Sequence, residues 1–403
     1  MKNLALLFST LITPERCKWL QVLVGNHRKK EGLVNLYLTG NALHSMQDAR
    51  IKPWLLKMID SPGIHINVDH LEASMLGISS VDLYHGSKNL QERQDFWHAL
   101  VKASMKDFKA GLNDPGSMGF LLLNGPYMSR SSVHALRCLQ ATLSKGISPE
   151  LYLYLDGVHS AHVNQKPSEF ENIGASISQL HASAMNAGLD PWVVACTRCA
   201  AARGYEDPQF DEKKTSSIHG IPSCRFVNLN RIIERFTVHH PILSPDSGYL
   251  HSVDRRTTGA DMTPAPTSLV LLVTHPPYGS EHAFGAISMA VAAACNHGID
   301  TKVVFIEDGI HCVHGKNFVS SNAKLMNIQE IIMSTIDIDT LSYYYHVPSM
   351  EVRGLEPQSV IKSIFPINAG DHDSSTGVLE HETLSDILDP CQHGACLSRM
   401  VCF

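Results

Sequence analysis

Residues 119–161 read GFLLLNGPYMSRSSVHALRCLQATLSKGISPELYLYLDGVHSA, and the order of elements within them decides the fold. An apolar strand is followed by a Pro-Tyr turn, a helical pattern and a second apolar strand that runs into Asp-Gly. Residues 268–314 repeat this order, from SLVLLVT to IEDGIHCVH, with nearly the same spacing between the Pro-Tyr turn and Asp-Gly. We interpret the two segments as copies of one structural unit.

Both copies continue in the same way, with a second helical pattern and a third strand. That strand runs into an Arg-Gly pair in residues 192–204 (WVVACTRCAAARG) and 341–354 (LSYYYHVPSMEVRG). Residues 4–78 contain a degenerate version, with the strands LALLFS, LVNLYL and IHINVD. Apolar strands that alternate with helices favour βαβ units and a mostly parallel sheet covered by helices on both faces. The sequence therefore predicts an α/β fold with three such units.

The repeats predict three tandem domains. We place the first, degenerate domain at residues 1–116, the second at 117–252 and the third at 267–403. Residues 253–266, within a stretch rich in Thr, Pro and charged residues, are expected to form a linker. Each predicted domain is long enough to bury one hydrophobic core.

The composition bears on partners and location. A net charge of -6 over 403 residues gives no basic surface for nucleic acid or for a membrane, and no apolar run is long enough to span one. The N-terminal apolar stretch resembles a secretory signal but lacks a small-residue cleavage site. Ten cysteines are too few for a disulfide scaffold, which favours free thiols in a reducing cytoplasm.

The chemistry is expected at Cys196, where the third strand of the second domain ends. Ligands of parallel sheets collect beyond the carboxyl ends of the strands, and amides at a helix start stabilise a thiolate. Arg198 and Arg203 add positive potential, so that a lowered pKa and a nucleophilic thiol are expected at Cys196. Tyr127 and His159 follow the first two strands of the same domain and are predicted to border the same crevice.

The role of Cys199 stays open at this point. Three residues after Cys196, it could form a dithiol pair, act as a resolving thiol or pack as a small apolar residue. A zinc site would need further ligands, for which Cys224 and His219 are candidates. The sequence contains no second CxxC motif that would supply them at a regular spacing. Counting eight residues back from the glycine that ends each repeat gives Cys196 in the second domain. The same count gives His346 in the third domain and Asp69 in the first, so one copy of three carries sulfur there.

These motifs carry a resemblance to a known family. FLLLNGPYMSRSSVHALRCLQATLSKG, LYLYLDGVHSA and VVACTRCAAARG resemble the DsrE/TusD type of the DsrE/DsrF/DsrH sulfur-relay superfamily. VLLVTHPPYGSEHAFGAISMAVAAACNHGIDTKVVFIEDGI is similar to its DsrF/TusC type. The resemblance implies that Cys196 accepts sulfane sulfur as a persulfide, without a metal or an organic cofactor. His346 and Asp69 stand where the family's other subunit types often carry cysteine, so that sulfur would pass through the second domain alone.

The resemblance also implies partners and an activity. The expected function is that of a sulfurtransferase that moves sulfur between protein thiols. Its partner would be a sulfur carrier of the DsrC/TusE or TusA type, and a homodimer would bring six DsrE-like domains together. The alternatives are a noncatalytic sulfur-binding or thiol-sensing scaffold and a CxxC thiol-disulfide oxidoreductase. The donor, the acceptor and the direction of sulfur flow are left open by the sequence.

The chain ends DPCQHGACLSRMVCF, which allows two interpretations of Cys402. The spacing of Cys391 and Cys402 resembles the mobile C-terminal arm of DsrC/TusE-type carriers. LSRMVCF also resembles the last strand of DsrE-type domains, which would fix Cys402 within a sheet. We favour the strand.

Overall fold

A computed structural model gives the structure of the protein. It describes residues 2–29, 32–78, 89–108, 116–205, 216–237, 240–252, 267–319, 325–356, 359–360, 376–379 and 396–403, together with Leu384 and Ile387. Strands and helices alternate along the described chain, and parallel sheets are flanked by helices. The predicted α/β fold is therefore confirmed.

The strands are mostly short and apolar. They are β1 (Lys2–Phe8), β2 (Leu33–Leu38), β3 (Ile64–Asp69), β4 (Leu90–Arg93), β5 (Ser117–Leu122), β6 (Ser148–Leu153), β7 (Trp192–Cys196), β8 (Arg225–Val227), β9 (Ile242–Leu243), β10 (Ser247–Ser252), β11 (Thr267–Val273), β12 (Asp300–Phe305), β13 (Leu341–His346), β14 (Thr376–Leu379) and β15 (Cys396–Cys402).

The α-helices fill the connections between strands. They are α1 (Pro14–Lys29), α2 (Lys52–Ile59), α3 (His70–Met75), α4 (Phe96–Phe108), α5 (Ser131–Ser144), α6 (Ile173–Asn186), α7 (Thr197–Ala202), α8 (Leu229–Glu234), α9 (His282–His297), α10 (Ile328–Thr335) and α11 (Val347–Val352). Short 3-10 helices follow the second strand of each repeat, at Gly40–Met46, Leu155–Ala161 and Glu307–Cys312.

One strand order occurs three times. The order β8-β7-β6-β5-β9 forms a five-stranded sheet, and every neighbouring pair in it is parallel. The order β14-β13-β12-β11-β15 is the same, again with parallel pairs. The order β4-β3-β2-β1-β10 repeats it once more. We call the strands β1–β4 with β10 the first repeat, β5–β9 the second and β11–β15 the third.

The fifth strand of the first repeat comes late in the chain. Residues 247–252, which the sequence analysis placed at the end of the second domain, form β10 beside β1, while β9 ends the five-stranded sheet. Asp246, just before β10, accepts hydrogen bonds from the amides of Ser9 (2.8 Å) and Thr10 (3.0 Å). These bonds tie the start of β10 to the turn after β1. The predicted domain boundaries as a whole stay a prediction.

The chain forms two compact units. One consists of Met1–Leu4, Ile12–Val34 and Tyr249–Phe403, and the other of Ala5–Leu11 and Asn35–Gly248. In the second unit, α5 packs on β5 and β6, whose apolar residues are almost fully buried. Burial on both faces explains why these strands have near-continuous apolar sequences.

The C-terminal segment forms a strand. Residues Cys396–Cys402 run parallel to β11, with Cys402 opposite Leu272. The preferred interpretation of LSRMVCF is confirmed, and Cys402 is held by the sheet. Cys391 lies outside the described residues.

Candidate active site around Cys196

Cys196 lies where a strand turns directly into a helix. It is the last residue of β7 and the N-cap of α7, with an extended backbone (φ -68°, ψ 121°). Its side chain is buried, with 2% of the residue surface exposed. The sulfur makes no capping hydrogen bond of ordinary geometry. The nearby amides of Arg198 and Cys199 therefore act on it mainly as dipoles that favour a negative charge.

The environment lowers the pKa of the Cys196 thiol to about 7. The largest cause is a hydrogen bond from the Cys199 side chain, which outweighs the opposing effect of burial. The two backbone amides and the positive charge of Arg198 lower the pKa further. At neutral pH, Cys196 is therefore ionised to a larger extent than an ordinary cysteine and is the better nucleophile.

Cys199 is held as a thiol by its surroundings. Its pKa is strongly raised by the neighbouring Cys196 sulfur and by burial. The amide of Leu155 donates a hydrogen bond to the Cys199 sulfur at 3.3 Å. Because the sulfur accepts from Leu155, its own proton is available to Cys196.

The Leu155 amide reaches Cys199 through an unusual turn after β6. Leu155 has a φ of 52°, in the left-handed region that a leucine rarely adopts. Two residues later, a Cβ on Gly157 would lie 2.2 Å from the carbonyl oxygen of Leu122. The glycine is therefore required by the close approach of this turn to β5.

The third repeat has the same geometry without sulfur. Glu307 has a φ of 54°, and its amide donates to the Ser349 hydroxyl at 3.0 Å. That hydroxyl also lies 2.7 Å from Nδ1 of His346, the residue at the position of Cys196. The positions of Cys196 and Cys199 are therefore a contacting pair in both repeats, and in the third repeat the pair is His and Ser.

The first repeat has carboxylates at the two positions. Asp69 accepts the amides of Leu71 (3.1 Å) and Glu72 (3.4 Å) as the N-cap of α3, and the hydroxyl of Thr39 donates to it at 2.9 Å. Glu72 is 1% exposed and is paired with Arg130 of the second repeat at 2.7 Å. A carboxylate in these partnerships cannot carry sulfur.

Arg203 makes its hydrogen bonds to the turn after β6 and to the backbone of α7. Its guanidinium binds Asp156 (2.7 Å) and the carbonyl of Cys199 (3.2 Å), which links the end of α7 to the turn after β6. Arg353 makes the same contact with Asp308 in the third repeat, at 2.8 Å. Arg198 is instead exposed and is the arginine that lowers the pKa of Cys196.

Comparison with known families agrees with this geometry. The model of the DsrE/DsrF-like family matches residues 116–236 and 267–375, which together make up more than half of the chain. The chain belongs to the DsrE/DsrF-like family. Membership implies a function related to sulfur relay. Among curated proteins, no match was found.

His159 and Tyr127, which the sequence also predicts at this DsrE/DsrF-like site, make different contacts in the structure. His159 is half-buried, its pKa is lowered by burial and by the charge of Arg203, and its ring lies 6.0 Å from that of Tyr205. Tyr127 donates from its hydroxyl to Gln165 at 2.8 Å. It lines a cavity of about 440 Å³ with Arg130, and Cys196 is not among the residues around that cavity. The structure thus brings Cys196, Cys199, Arg198 and Arg203 together and places Tyr127 in a separate cavity.

The sequence analysis missed the contribution of Leu155. The signal was present in the repeat, because Gly40 of the first repeat occupies the same position and also has a positive φ of 52°. A glycine aligned with Leu155 and Glu307 marks a backbone conformation that the family fold needs there.

The other described thiols of this family member differ from Cys196. Burial raises the pKa of Cys138 and of Cys312 to about 12, and it raises that of Cys224 as well. Cys295 is exposed on α9. In the part of the chain that the structure describes, no three His, Cys, Asp or Glu side chains are grouped to hold a metal ion. Nor is any helix in that part both long and apolar enough to cross a membrane.

Proposed function

We propose that this protein is a sulfurtransferase that carries sulfane sulfur as a persulfide on Cys196. The observation that carries the proposal is the position of Cys196 at the end of β7 and the start of α7, where Cys199 and Arg198 lower the pKa of its thiol. Family membership supports sulfur relay in general. In the other two repeats the corresponding residues are His346 and Asp69, which cannot form a persulfide.

The proposed reaction consists of two thiol exchanges. The Cys196 thiolate attacks the outer sulfur of a donor persulfide, which forms a new S–S bond and releases the donor as a thiolate. An acceptor thiolate then attacks the same outer sulfur, and Cys196 leaves as the thiolate. A thiol with a pKa near 7 suits both steps, because it is ionised enough to attack and stable enough to leave. No electrons are gained or lost overall.

The partners follow from this chemistry. The donor is a protein persulfide and the acceptor is a protein thiol, and we propose a carrier of the DsrC/TusE or TusA type as one of them. We also propose a cytoplasmic location, where thiols stay reduced, and a homodimer that brings six DsrE-like domains together. The three-domain division of the chain belongs to the same proposal.

Mass spectrometry after treatment with a persulfide donor tests the proposal. The protein is expected to gain the mass of one sulfur atom, mapped to Cys196, and to pass it to an added carrier over several turnovers. A Cys196→Ser variant should gain none, while Cys295→Ser, which removes an exposed thiol on α9, should behave as the native protein. Sulfur uptake by Cys196→Ser equal to that of the native protein would refute the assignment. Uptake without transfer would instead indicate the thiol-sensing scaffold.

A second candidate is a thiol-disulfide oxidoreductase, favoured by the contact between Cys196 and Cys199. The two functions differ in their dependence on Cys199. A sulfur relay needs a hydrogen-bond donor at that position and should persist in Cys199→Ser. Disulfide exchange with a dithiol substrate needs both sulfur atoms and should be lost in the same variant.

A further inference from the structure

The residues at positions 196 and 199 are neighbours in space because they are the N-cap and the third residue of a short helix. In the third repeat the equivalent pair, His346 and Ser349, is in contact at 2.7 Å. The hydroxyl of Ser349 accepts the Glu307 amide, as the sulfur of Cys199 accepts the Leu155 amide. The fold therefore uses a hydroxyl and a thiol in the same hydrogen-bonding role.

This equivalence raises the question of why the second repeat has sulfur at position 199. A hydroxyl is the stronger hydrogen-bond donor, and the third repeat shows that serine fits the same turn. If the role of residue 199 were only to donate a hydrogen bond to the Cys196 thiolate, serine would therefore fill it better than cysteine. What a thiol adds is the ability to form a covalent bond with another sulfur.

We propose that Cys199 is a resolving thiol, which attacks the persulfide on Cys196 and releases its outer sulfur as sulfide. This inference rests on the proposed function, since it needs sulfur on Cys196. The bond between Cys196 and the outer sulfur breaks, and a bond between Cys196 and Cys199 forms. The proton of Cys199 leaves with the outer sulfur as HS⁻. A thiol reductant, such as a dithiol protein, then reduces the disulfide and restores both thiols.

The largest cause of the raised pKa of Cys199 is the neighbouring Cys196 sulfur, and that cause changes once Cys196 carries a second sulfur atom. Cys199 lies one helical turn from Cys196 and is 8% exposed, so that attack on a persulfide at Cys196 can occur within the site without entry of a further thiol. The Leu155 amide, 3.3 Å from the Cys199 sulfur, would stabilise negative charge on that sulfur as its proton leaves. The spacing from N-cap to third helical residue is also short enough for a disulfide. The outer sulfur of the persulfide would then leave the site in one of two ways, by transfer to an acceptor thiol or by release as sulfide.

Sulfide release from the loaded protein tests the inference. The full-length protein is loaded with inorganic polysulfide, desalted and followed without added thiol. The native protein is expected to release one equivalent of sulfide for each persulfide and to form a disulfide that peptide mapping assigns to Cys196 and Cys199. In Cys199→Ser, sulfide release should be at least about tenfold slower, with the sulfur retained on Cys196. Cys295→Ser should match the native protein.

The outcomes separate this inference from the function on which it rests. A native protein that keeps its persulfide and forms no disulfide would overturn the resolving role and leave the relay intact. Equal sulfide release from the native protein and Cys199→Ser would have the same meaning. A native protein that gains neither sulfur nor a disulfide, together with a Cys199→Ser variant that gains no sulfur at Cys196, would overturn the proposed function itself. The native protein alone decides the point if Cys199→Ser loads poorly.

Discussion

The reactivity of Cys196 depends on the single side chain that donates a hydrogen bond to it. Replacement of Cys199 by alanine removes the largest cause of the lowered pKa, so that the pKa of Cys196 should rise from about 7 toward its ordinary value of 9.0. Alkylation by iodoacetamide at pH 7 should slow by about three- to tenfold, with the midpoint of the pH profile shifted upward. Cys199→Ser keeps a donor and should stay near the native profile. Identical profiles for Cys199→Ala and the native protein would contradict this account.

A buried carboxylate at the matching position of the first repeat serves stability instead. Burial opposes the charge of Glu72, but the ring of His134, whose Nε2 lies 3.7 Å from the carboxylate, and the hydrogen bonds of Arg130 outweigh it and lower the pKa of Glu72 to about 2. Arg137 also donates to Glu72, at 2.5 Å. Glu72→Gln removes the buried charge and leaves the partly exposed Arg130 and Arg137 without their charged acceptor, so it should reduce the free energy of unfolding by about 2 kcal/mol. Urea denaturation at pH 7 measures this, with the exposed Glu234→Gln as the control.

The sign of the pH dependence follows from the lowered pKa of Glu72. The unfolded chain binds a proton at this residue near pH 4.5, and the folded chain only near 2. The stabilising contribution is therefore complete above about pH 4.5 and is lost as the pH falls toward 2. Thermal unfolding between pH 3 and pH 6 should show a smaller loss of stability on acidification in Glu72→Gln than in the native protein. Parallel curves would argue against the role given to Glu72.

At the scale of single elements, the 3-10 turn after β6 controls the geometry of the site. A Cβ at Gly157 would clash with the Leu122 carbonyl at 2.2 Å, whereas at Gly125 its nearest neighbour would be 3.6 Å away. Gly157→Ala should therefore lower the free energy of unfolding by about 2 kcal/mol and raise the pKa of Cys196, because the Leu155 amide moves away from Cys199. Gly125→Ala should change both little. The two variants are compared by urea denaturation and by the pH profile of alkylation.

Most elements of the second and third repeats are predictable from the sequence. Apolar runs fix β5 and β6, and the Arg-Gly pair after β7 locates Cys196 at a strand end. The hydrogen-bonding role of Cys199 is harder to predict from the sequence. Its counterpart Ser349 is a different residue type, and only the contacts of Ser349 show that the two positions are equivalent. The left-handed backbone of Leu155 contradicts the preference of leucine and depends on the surrounding fold. A strand end does not fix the direction in which the following turn carries its side chains, so that the role predicted for Tyr127 beside Cys196 stays a prediction.

Over the whole molecule, chain order and spatial order differ in ways that local patterns do not show. The strands β9 and β10 are separated by three residues, yet β9 ends the five-stranded sheet and β10 lies beside β1. Both segments are short, so that their sequences alone do not assign them to different sheets. Their pairing follows from specific contacts, such as those of Asp246 with the amides of Ser9 and Thr10.

Within one compact unit, α1 and the end of α11 are joined by an ion pair that also depends on the tertiary fold. Glu15 of α1 binds Arg353 at 2.9 Å, and both side chains are largely buried. In a double-mutant cycle of Glu15→Gln and Arg353→Gln, the double variant should lose less stability than the two single variants combined, by about 1 kcal/mol. The same cycle on the exposed pair of Arg231 and Glu234 should give a coupling of about 0.3 kcal/mol. Additive losses for Glu15 and Arg353 in urea denaturation would show that the two side chains do not interact in solution.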